Sequence, residues 1–276
     1  PLACWLRLDD SGGNIDISVN ASPIQAAELL RDVLWGSCYA AVVTSATLRA
    51  LGSFQTLQRE TGIPDFAHFM TVAGAFDYQQ AAVIRVPADA VEGNQADAHS
   101  RYIVDHFAEY EVPHCGTLAL FSSRRQMEQV YDELSKELQK NILIQGKLSN
   151  REMVRLHKER IDQGRTSVLM GLASFAEGVD LPGDYCRHVV IAKLPFAVPD
   201  DPLHEALSEW IEAKGGNSFF DISLPIASLR LVQACGRLLR TEKDTGTVTI
   251  LDKRLITKRY GTQLLNGLPP FRREIG

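Results

Sequence analysis

An alternation of short apolar runs with amphipathic stretches, beginning near residue 98, constrains the fold of this chain more than any other feature. Short β-rich apolar runs are typical of strands buried on both faces of a sheet, and the stretches between them carry helical spacing. The predicted strands are 116–121, 141–145, 167–170, 188–192 and 246–251, and the predicted helices are 124–139, 150–163 (with Ser149 as N-cap), 202–214 and 224–240. The expected fold class is α/β, with a doubly wound, mainly parallel sheet and helices on both faces.

The first part of the chain has a different pattern. Two short strands, 6–8 and 15–19, flank the turn sequence DSGG and predict a hairpin. A helix over 23–35 and a strand over 39–43 are expected next, followed by a strand over 82–86. Residues 64–97 show few other periodic signals. The boundaries predict a short α+β segment over 1–64, a connecting segment over 65–97 and the α/β domain over 98–276.

Composition narrows the class of protein. With 45% hydrophobic and 23% charged residues, the chain is expected to be globular, and its apolar runs are too short to cross a membrane. The five cysteines form no CxxC pair, which argues against a zinc ribbon or a sequence-local iron–sulfur site and favours reduced thiols in the cytoplasm. Because the net charge is −5, any nucleic-acid surface must be local.

The sequence QACGRLLR at residues 233–240 places three polar side chains on one helical stripe. Together with Arg230, the side chains of Gln233, Arg237 and Arg240 span about 80° at 100° per residue. The opposite face is apolar and consists of Leu231, Val232, Cys235, Leu238 and Leu239. An amphipathic surface helix alone explains this separation. The planar arginine forks, the close approach permitted by Gly236 and the position just before a strand favour a phosphate-binding role.

A glycine-containing segment, GLASFAEGVDLPG at 171–183, directly follows a predicted strand. Loops at the carboxyl ends of parallel strands are where doubly wound sheets bind ligands, although a surface turn has similar composition. Two further strand ends carry hydroxyl groups. Residues 44–48, TSATL, could be a helix N-cap or a functional turn, and the LFSS sequence at 120–123 could bring a hydroxyl to a phosphate.

In combination, these segments resemble the motifs of superfamily 2 helicases, and specifically those of the DinG-like, XPD-type group. Residues 233–240 resemble motif VI, 171–183 motif V, 44–48 motif III and 120–123 motif IV. Residues 76–78, 144–146, 193–202, 252–254 and 260–261 resemble further stretches of that group, although Gly74-Ala75 stands where the family usually shows Ser-Pro. The resemblance extends over the whole chain, and motifs V and VI occur in the family's order.

The resemblance implies a RecA-like second motor lobe over 98–276, preceded over 1–64 by the C-terminal part of the first lobe. It assigns Arg240 as an arginine finger, Arg237 as a second γ-phosphate ligand and Gln233 as the group that orients water or phosphate. It places Gly178 and Asp180 near the nucleotide. The implied coupling residues are Ser45, Ala46 and Thr47, and the implied DNA-binding residues are Ser122, Ser123, Ser174, Glu177 and Lys193.

The implied activity is that of an ATP-dependent helicase in DNA repair or replication, which moves 5′ to 3′ on single-stranded DNA as a monomer. No GxxxxGK[ST] segment or DExH box occurs, so ATP and Mg²⁺ are expected to be held mainly by the missing first lobe, and this chain alone is expected to be inactive. The family also implies a [4Fe–4S] cluster upstream of Pro1, with no metal site in this chain.

Two alternatives remain open from the sequence. The chain could be a non-catalytic, RecA-like module that binds nucleic acid or a protein partner, which its negative net charge and isolated boundaries permit. It could also be the lobe of an RNA helicase. The intact QxxGRxxR segment argues against the first alternative, and the DinG-like stretches at 193–202 and 252–254 favour DNA over RNA.

Overall fold

The computed structural model describes residues 2–11, 14–109, 115–197 and 201–276. Residues 12–13 of the predicted hairpin turn, residues 198–200 of the 193–202 stretch and the side chain of Glu177 lie outside the described parts. The chain forms two compact units. The first comprises Pro1–Thr71 with Phe196–Leu229, and the second comprises Val72–Pro195 with Arg230–Gly276.

The regular elements are numbered in chain order. The strands are β1 (Leu2–Ser11), β2 (Asn14–Pro23), β3 (Ala82–Val86), β4 (Gly116–Phe121), β5 (Ile142–Ile144), β6 (Ser167–Leu172), β7 (His188–Ile191), β8 (Gly246–Ile250) and β9 (Arg272–Ile275). The helices are α1 (Ala27–Leu30), α2 (Gln55–Thr61), α3 (Tyr78–Ala81), α4 (Ala96–Glu109), α5 (Arg124–Glu133), α6 (Lys136–Gln139), α7 (Asn150–Asp162), α8 (Ala173–Glu177), α9 (Pro202–Ala213), α10 (Leu224–Cys235), α11 (Arg254–Thr257) and α12 (Arg259–Gly267). Within the described ranges, none of these helices has the length and apolar character needed to cross a membrane.

The first unit begins with the predicted hairpin. Strands β1 and β2 pair antiparallel along their whole length, with Leu6 opposite Val19 and Leu8 opposite Ile17. Because paired residues lie on the same face of a two-stranded ribbon, these four side chains form a continuous apolar face. All four are exposed to solvent. The hairpin therefore carries an apolar face that this unit leaves uncovered.

Two predictions in the first unit need correction. The helix predicted over 23–35 begins only at Ala27 and continues as a π-helical segment, Arg31–Trp35. The Trp35 indole donates a hydrogen bond to the Thr61 carbonyl at 2.7 Å. The strand predicted over 39–43 is wrong, because this stretch forms no strand and Tyr39 and Val42 are almost fully exposed. A strand needs a neighbouring strand to satisfy its backbone N–H and C=O groups. Within the described ranges, no strand pairs with residues 39–43.

A seven-stranded sheet forms the centre of the second unit, and its strand order is β5-β6-β4-β7-β8-β3-β9. Every pairing is parallel, which confirms the predicted α/β, RecA-like class. All five strands predicted after residue 98 are present, and the strand predicted over 82–86 joins the same sheet. Strand β9 was not predicted. Its four residues are exposed, and pairing with β3 alone makes it a strand.

Two of the predicted helices after residue 98 are too long. The helix predicted over 124–139 breaks into α5 and α6, because Leu134 is buried in an extended conformation and Ser135 caps the next turn. The helix predicted over 224–240 ends at Cys235, where i→i+3 hydrogen bonds replace the helical pattern. The predicted N-cap at Ser149 is confirmed, since its hydroxyl accepts a hydrogen bond from the Glu152 N–H.

Three histidines are buried in the second unit, His99, His157 and His188. The last two are held in neutral form. Nε2 of His157 donates to the Tyr185 carbonyl at 2.8 Å, so its Nδ1 accepts from the Ser167 hydroxyl at 2.9 Å. Burial lowers the pKa of His157 to about 4. Burial also lowers the pKa of His188 to about 3, and its Nε2 lies 2.8 Å from the Thr249 hydroxyl.

Because His157 and His188 are buried in neutral form, we expect the protein to lose stability in mild acid. The unfolded chain binds protons at an ordinary histidine pKa of about 6.5, whereas the folded chain does not bind them until the pH is far lower. The stabilisation is therefore complete above pH 6.5 and declines as the pH falls. At pH 5, each histidine is expected to remove about 2 kcal/mol from the free energy of unfolding, measured in urea at pH 7.5 and pH 5. The variant His157→Gln should show a shallower decline, and an unchanged pH dependence would contradict this explanation.

Candidate functional site

The carboxyl ends of four neighbouring strands form one edge of the second unit. Because β6, β4, β7 and β8 are parallel neighbours, the residues that follow each strand lie next to one another. Ser174 follows β6, Ser122 and Ser123 follow β4, and Lys193 follows β7. The fold therefore brings four of the five predicted DNA-binding residues to the same edge.

The groups at this edge differ in what they can still bind. The Ser123 oxygen already accepts a hydrogen bond from the Gln126 N–H, as the N-cap of α5, so its O–H remains the group able to donate to a ligand. Ser174 is exposed, whereas Ser122 is half-buried. Burial, followed by the positive charge of Arg254, lowers the pKa of Lys193. An anion at this edge would relieve the repulsion between the two cations.

The fully buried carboxylate of Asp252 accepts hydrogen bonds from several segments at this edge. Asp252 Oδ1 accepts from the Gly93 N–H at 3.1 Å, and Oδ2 accepts from the Leu194 N–H at 3.0 Å. The Arg254 guanidinium binds both oxygens, with Nη2 2.6 Å from Oδ2. Burial alone would raise the pKa of Asp252, but hydrogen bonds and charge from Arg254, together with the backbone donors, lower it. Lys193 is thereby positioned by its neighbour Leu194.

The predicted stripe of polar side chains continues past the end of a helix into a turn. Gln233 lies on α10, whereas Arg237 and Arg240 lie in the turn after Cys235. Gln233 and Arg240 are exposed, and Arg237 is half-buried. The predicted apolar face is confirmed for four of its members, and Val232 is only half-buried. The buried members are Leu231, Cys235, Leu238 and Leu239.

Arg240 contacts the glycine-containing segment 171–183 through its side chain. Its Nε lies 3.3 Å from Asp180 Oδ1, and Nη2 donates to the Val179 carbonyl at 3.5 Å. The Arg240 side chain is 34% exposed and that of Asp180 is 75% exposed. Gly178 is also exposed at this position. The structure thus brings the predicted finger into contact with Asp180, one of the two residues predicted to lie near the nucleotide, and Gly178 lies two residues earlier in the chain.

Asp244 links the backbone of the turn at Arg240 and Thr241 to the end of the 171–183 segment through hydrogen bonds. Its Oδ2 accepts from the N–H groups of Arg240 at 2.7 Å and Thr241 at 2.8 Å. Its Oδ1 accepts from the Thr241 hydroxyl at 2.7 Å and from the Gly183 N–H at 3.2 Å. Burial alone would raise the pKa of Asp244, but these four hydrogen bonds outweigh burial and lower it. Sequence reasoning missed this residue. The only available signal was an Asp a few residues after a Thr, a spacing that favours side-chain capture of backbone N–H groups.

The remaining predicted residues are not part of this cluster. Ser45, Ala46 and Thr47 belong to the first unit, where the Ser45 hydroxyl accepts from the Thr47 N–H at 3.2 Å. They form a turn and do not cap a helix. No group of three or more His, Cys, Asp or Glu side chains in the described ranges could hold a metal ion. The residues described therefore do not fit a [4Fe–4S] cluster, and no step of the chemistry is assigned to one.

The arrangement of Arg240 suits the binding of a transferred phosphoryl group. Arginine keeps its charge at any physiological pH and offers two parallel N–H donors, which match phosphate oxygens. Its present ion pair with Asp180 is largely solvated, and such exposed pairs contribute only about 0 to 1 kcal/mol. A phosphate can therefore replace this carboxylate as the partner of Arg240 at little energetic expense.

Comparison with known proteins identifies the family to which the chain belongs. Residues 109–271 match the family model described as "Helicase C-terminal domain". The chain is 42% identical over its whole length to the ATP-dependent DNA helicase DinG of Photobacterium profundum, of which it covers 40%. It is 36% identical over 98% of its length to the ATP-dependent DNA helicase DinG of Escherichia coli (strain K12), of which it covers 38%. The chain thus spans about two fifths of the length of these relatives.

A solved structure agrees on the fold. The structure titled "Structure of S. tokodaii Xpd4" matches with a TM-score of 0.62 and 17% identity, covering 94% of this chain and 48% of that one. At this identity the match bears on the fold alone, and it agrees with the seven-stranded parallel sheet. The resemblance to the C-terminal motor lobe of DinG-like, XPD-type helicases is thereby confirmed, and the chain belongs to the helicase C-terminal domain family.

Proposed function

We propose that this chain is the second motor lobe of an ATP-dependent DNA helicase and that Arg240 is the arginine finger of a composite ATP site. One observation carries the proposal. Arg240 is anchored to the 171–183 segment by both its backbone and its side chain, yet about a third of the side chain stays accessible. A guanidinium held in this way can stabilise charge that develops on the transferred phosphoryl group, an effect worth about 10³-fold or more in rate.

Arg237 and Gln233 are proposed to assist Arg240. Gln233 is exposed on the last turn of α10 and Arg237 lies in the turn that follows, so both belong to the segment that carries Arg240. We assign Arg237 as a second ligand of the γ-phosphate and Gln233 as the group that orients water or phosphate. Gly178 and Asp180 are proposed to lie near the nucleotide. ATP and Mg²⁺ themselves are proposed to be held mainly by the first motor lobe.

Single-stranded DNA is the proposed partner of the strand-end edge. The hydroxyl groups of Ser122, Ser123 and Ser174 and the ammonium group of Lys193 are suited to phosphate oxygens, which carry no sequence information. Glu177 is proposed to face the DNA backbone nearby. Because the contacts are to phosphates, affinity should be independent of sequence and should fall with salt. Alternate closing and opening of two lobes would then move the protein 5′ to 3′ along the strand.

The domain boundaries follow from the same proposal. Residues 1–64 are assigned to the end of the first motor lobe, 65–97 to the connection and 98–276 to the second lobe. Within the connection, strand β3 joins the sheet of the second unit. The hairpin supports the first assignment, because its apolar face at Leu6, Leu8, Ile17 and Val19 is exposed and would need a covering partner. The remainder of the first lobe would supply that cover, together with a neighbour for residues 39–43. Ser45, Ala46 and Thr47 are proposed to couple the nucleotide state to the grip on DNA.

The proposal is tested with the full-length protein. We expect ATP hydrolysis that single-stranded DNA stimulates, and unwinding of duplexes that carry a 5′ single-stranded tail but not of matched duplexes with a 3′ tail. Stimulation by RNA equal to that by DNA would instead support an RNA helicase. An absence of any nucleic-acid-stimulated hydrolysis would support the non-catalytic module.

The isolated chain is expected to show no DNA-stimulated ATP hydrolysis, because it provides only the γ-phosphate side of the composite site. The measurement is phosphate release by the purified 276-residue chain with and without single-stranded DNA. The matched control is the Arg240→Ala variant of the same chain, prepared in parallel. Robust turnover that survives stringent purification and disappears in the variant would show that the chain holds a complete site.

A further inference from the structure

Asp244 stands out because its carboxylate serves two segments that the proposed ATP site brings together. Two of its hydrogen bonds reach the backbone N–H groups of Arg240 and Thr241, a third reaches the Thr241 hydroxyl and a fourth reaches the Gly183 N–H. The residue is only 5% exposed, so solvent cannot easily replace these contacts. None of the functional roles assigned so far uses this carboxylate.

We propose that Asp244 is a positioning residue for Arg240, which fixes the arginine turn against the end of the 171–183 segment. This inference rests on the proposed role of Arg240 as the arginine finger. Asp244 cannot share that role, because its carboxylate is negatively charged and is occupied by the four donors. It acts by setting where the Arg240 backbone lies relative to Val179 and Asp180.

The local structure explains why such a residue is needed. Helix α10 ends at Cys235, so the helical hydrogen-bond pattern no longer fixes the backbone at Arg240. The side-chain contacts of Arg240 are weak, because the Val179 carbonyl is 3.5 Å away and Asp180 is largely exposed. The 2.7 Å hydrogen bond from the Arg240 N–H to Asp244 is the shortest contact that the structure describes for this residue. Asp244 is therefore the main restraint on its position.

Small displacements of a catalytic group have large kinetic effects. A misplacement of about 1 Å can lower a rate by about 100-fold, because the charge must meet the transition state at the correct place. Freeing the Arg240–Thr241 backbone is expected to cause part of such a shift. The effect should appear in kcat and not in the KM for ATP, since the first lobe is proposed to hold the nucleotide.

The test is the Asp244→Asn variant of the full-length protein. Asparagine has a similar size, but its amide group presents donors where the carboxylate accepted N–H groups. We expect kcat for DNA-stimulated ATP hydrolysis to fall about tenfold or more, with the KM for ATP changed less than about twofold. The matched control is Asp184→Asn, which removes an exposed carboxylate that pairs with Arg187 near Gly183. It should leave kcat unchanged within about twofold.

A double variant separates positioning from a general structural role. If Asp244 acts through Arg240, then Asp244→Asn combined with Arg240→Lys should be no slower than Arg240→Lys alone. Multiplicative losses would overturn the inference while leaving the role of Arg240 intact. A near wild-type rate for Arg240→Lys would instead defeat the proposed function itself.

A milder variant keeps the test informative if Asp244→Asn fails to fold. Thr241→Val removes only the hydroxyl donor to Asp244, whereas Thr241→Ser retains it. We expect Thr241→Val to lower kcat about threefold at an unchanged KM and Thr241→Ser to restore it. Equal rates for the two variants, or losses that follow the melting temperature and not the presence of the hydroxyl, would contradict the positioning role.

Discussion

Replacing Arg240 by lysine in the full-length protein is expected to lower DNA-stimulated ATP turnover by about two orders of magnitude or more. This corresponds to roughly 3 kcal/mol of transition-state stabilisation. Lysine keeps the positive charge but loses the planar fork that binds two phosphate oxygens at once. ATP affinity should change little, because the arginine acts on charge that develops only during the transfer.

Folding should be unaffected by this substitution. Arg240 is exposed, and the apolar contacts of its segment are made by Leu231, Cys235 and Leu238. A suitable control is Arg187→Lys, since Arg187 is also an exposed arginine paired with an aspartate, Asp184. The control should retain wild-type turnover. If Arg240→Lys unwinds DNA at a near wild-type rate, or if its loss follows a lowered melting temperature, Arg240 is a structural surface residue.

The substitution Asp252→Ala is expected to have the largest effect on stability, lowering the free energy of unfolding by about 3 to 5 kcal/mol. It removes the partner of Arg254, whose side chain is only 13% exposed, and leaves a buried charge without its carboxylate. It also removes the acceptor of the Gly93 and Leu194 N–H groups, which lie at the edge proposed to bind DNA. Unfolding in urea near neutral pH, followed by circular dichroism, measures the change.

Two variants check the cause of that loss. Asp184→Ala breaks an exposed ion pair and should lower the free energy of unfolding by no more than about 1 kcal/mol. The double variant Asp252→Ala with Arg254→Met should recover part of the stability, because no charge then remains buried. A loss below about 1 kcal/mol for Asp252→Ala alone would mean that water replaces the carboxylate and that this residue does not hold the edge together.

Six of the seven strands of the second unit could be predicted, because each of the six has an apolar, β-rich pattern of its own. Strand β4, for example, is buried at every position, and its bounds agree with the apolar run in the sequence. The stretch 39–43 is similarly apolar, yet it forms no strand, since pairing depends on a neighbouring strand that the sequence pattern alone cannot reveal. Strand β9 is the reverse case, a charged and exposed segment that becomes a strand only by pairing with β3.

Only part of the candidate site could be predicted, because the sequence does not show which residues the fold brings into contact. Arg240, Asp180 and Lys193 were identified from their motifs, and the sheet order explains why Lys193 lies beside Ser122 and Ser123. Asp244 and Asp252 were not predicted to have roles, because acidic residues near the ends of segments usually indicate exposed surface. Only the fold shows that both carboxylates are buried and bind several donors. The end of α10 was missed because the amphipathic pattern continues past Cys235, where i→i+3 hydrogen bonds replace the helical ones.

The binding of a phosphoryl-transfer mimic tests the role of Arg240 most directly. ADP with aluminium fluoride imitates the transferred group, and an arginine finger should strengthen its binding far more than that of ADP. The measurement compares the affinities of the full-length protein and its Arg240→Lys variant for ADP alone and for ADP with aluminium fluoride, in the presence of single-stranded DNA. We predict an ADP affinity unchanged within about twofold and a loss of about 100-fold for the mimic. Equal affinities of the two proteins for the mimic, or equal losses for both ligands, would contradict the assignment.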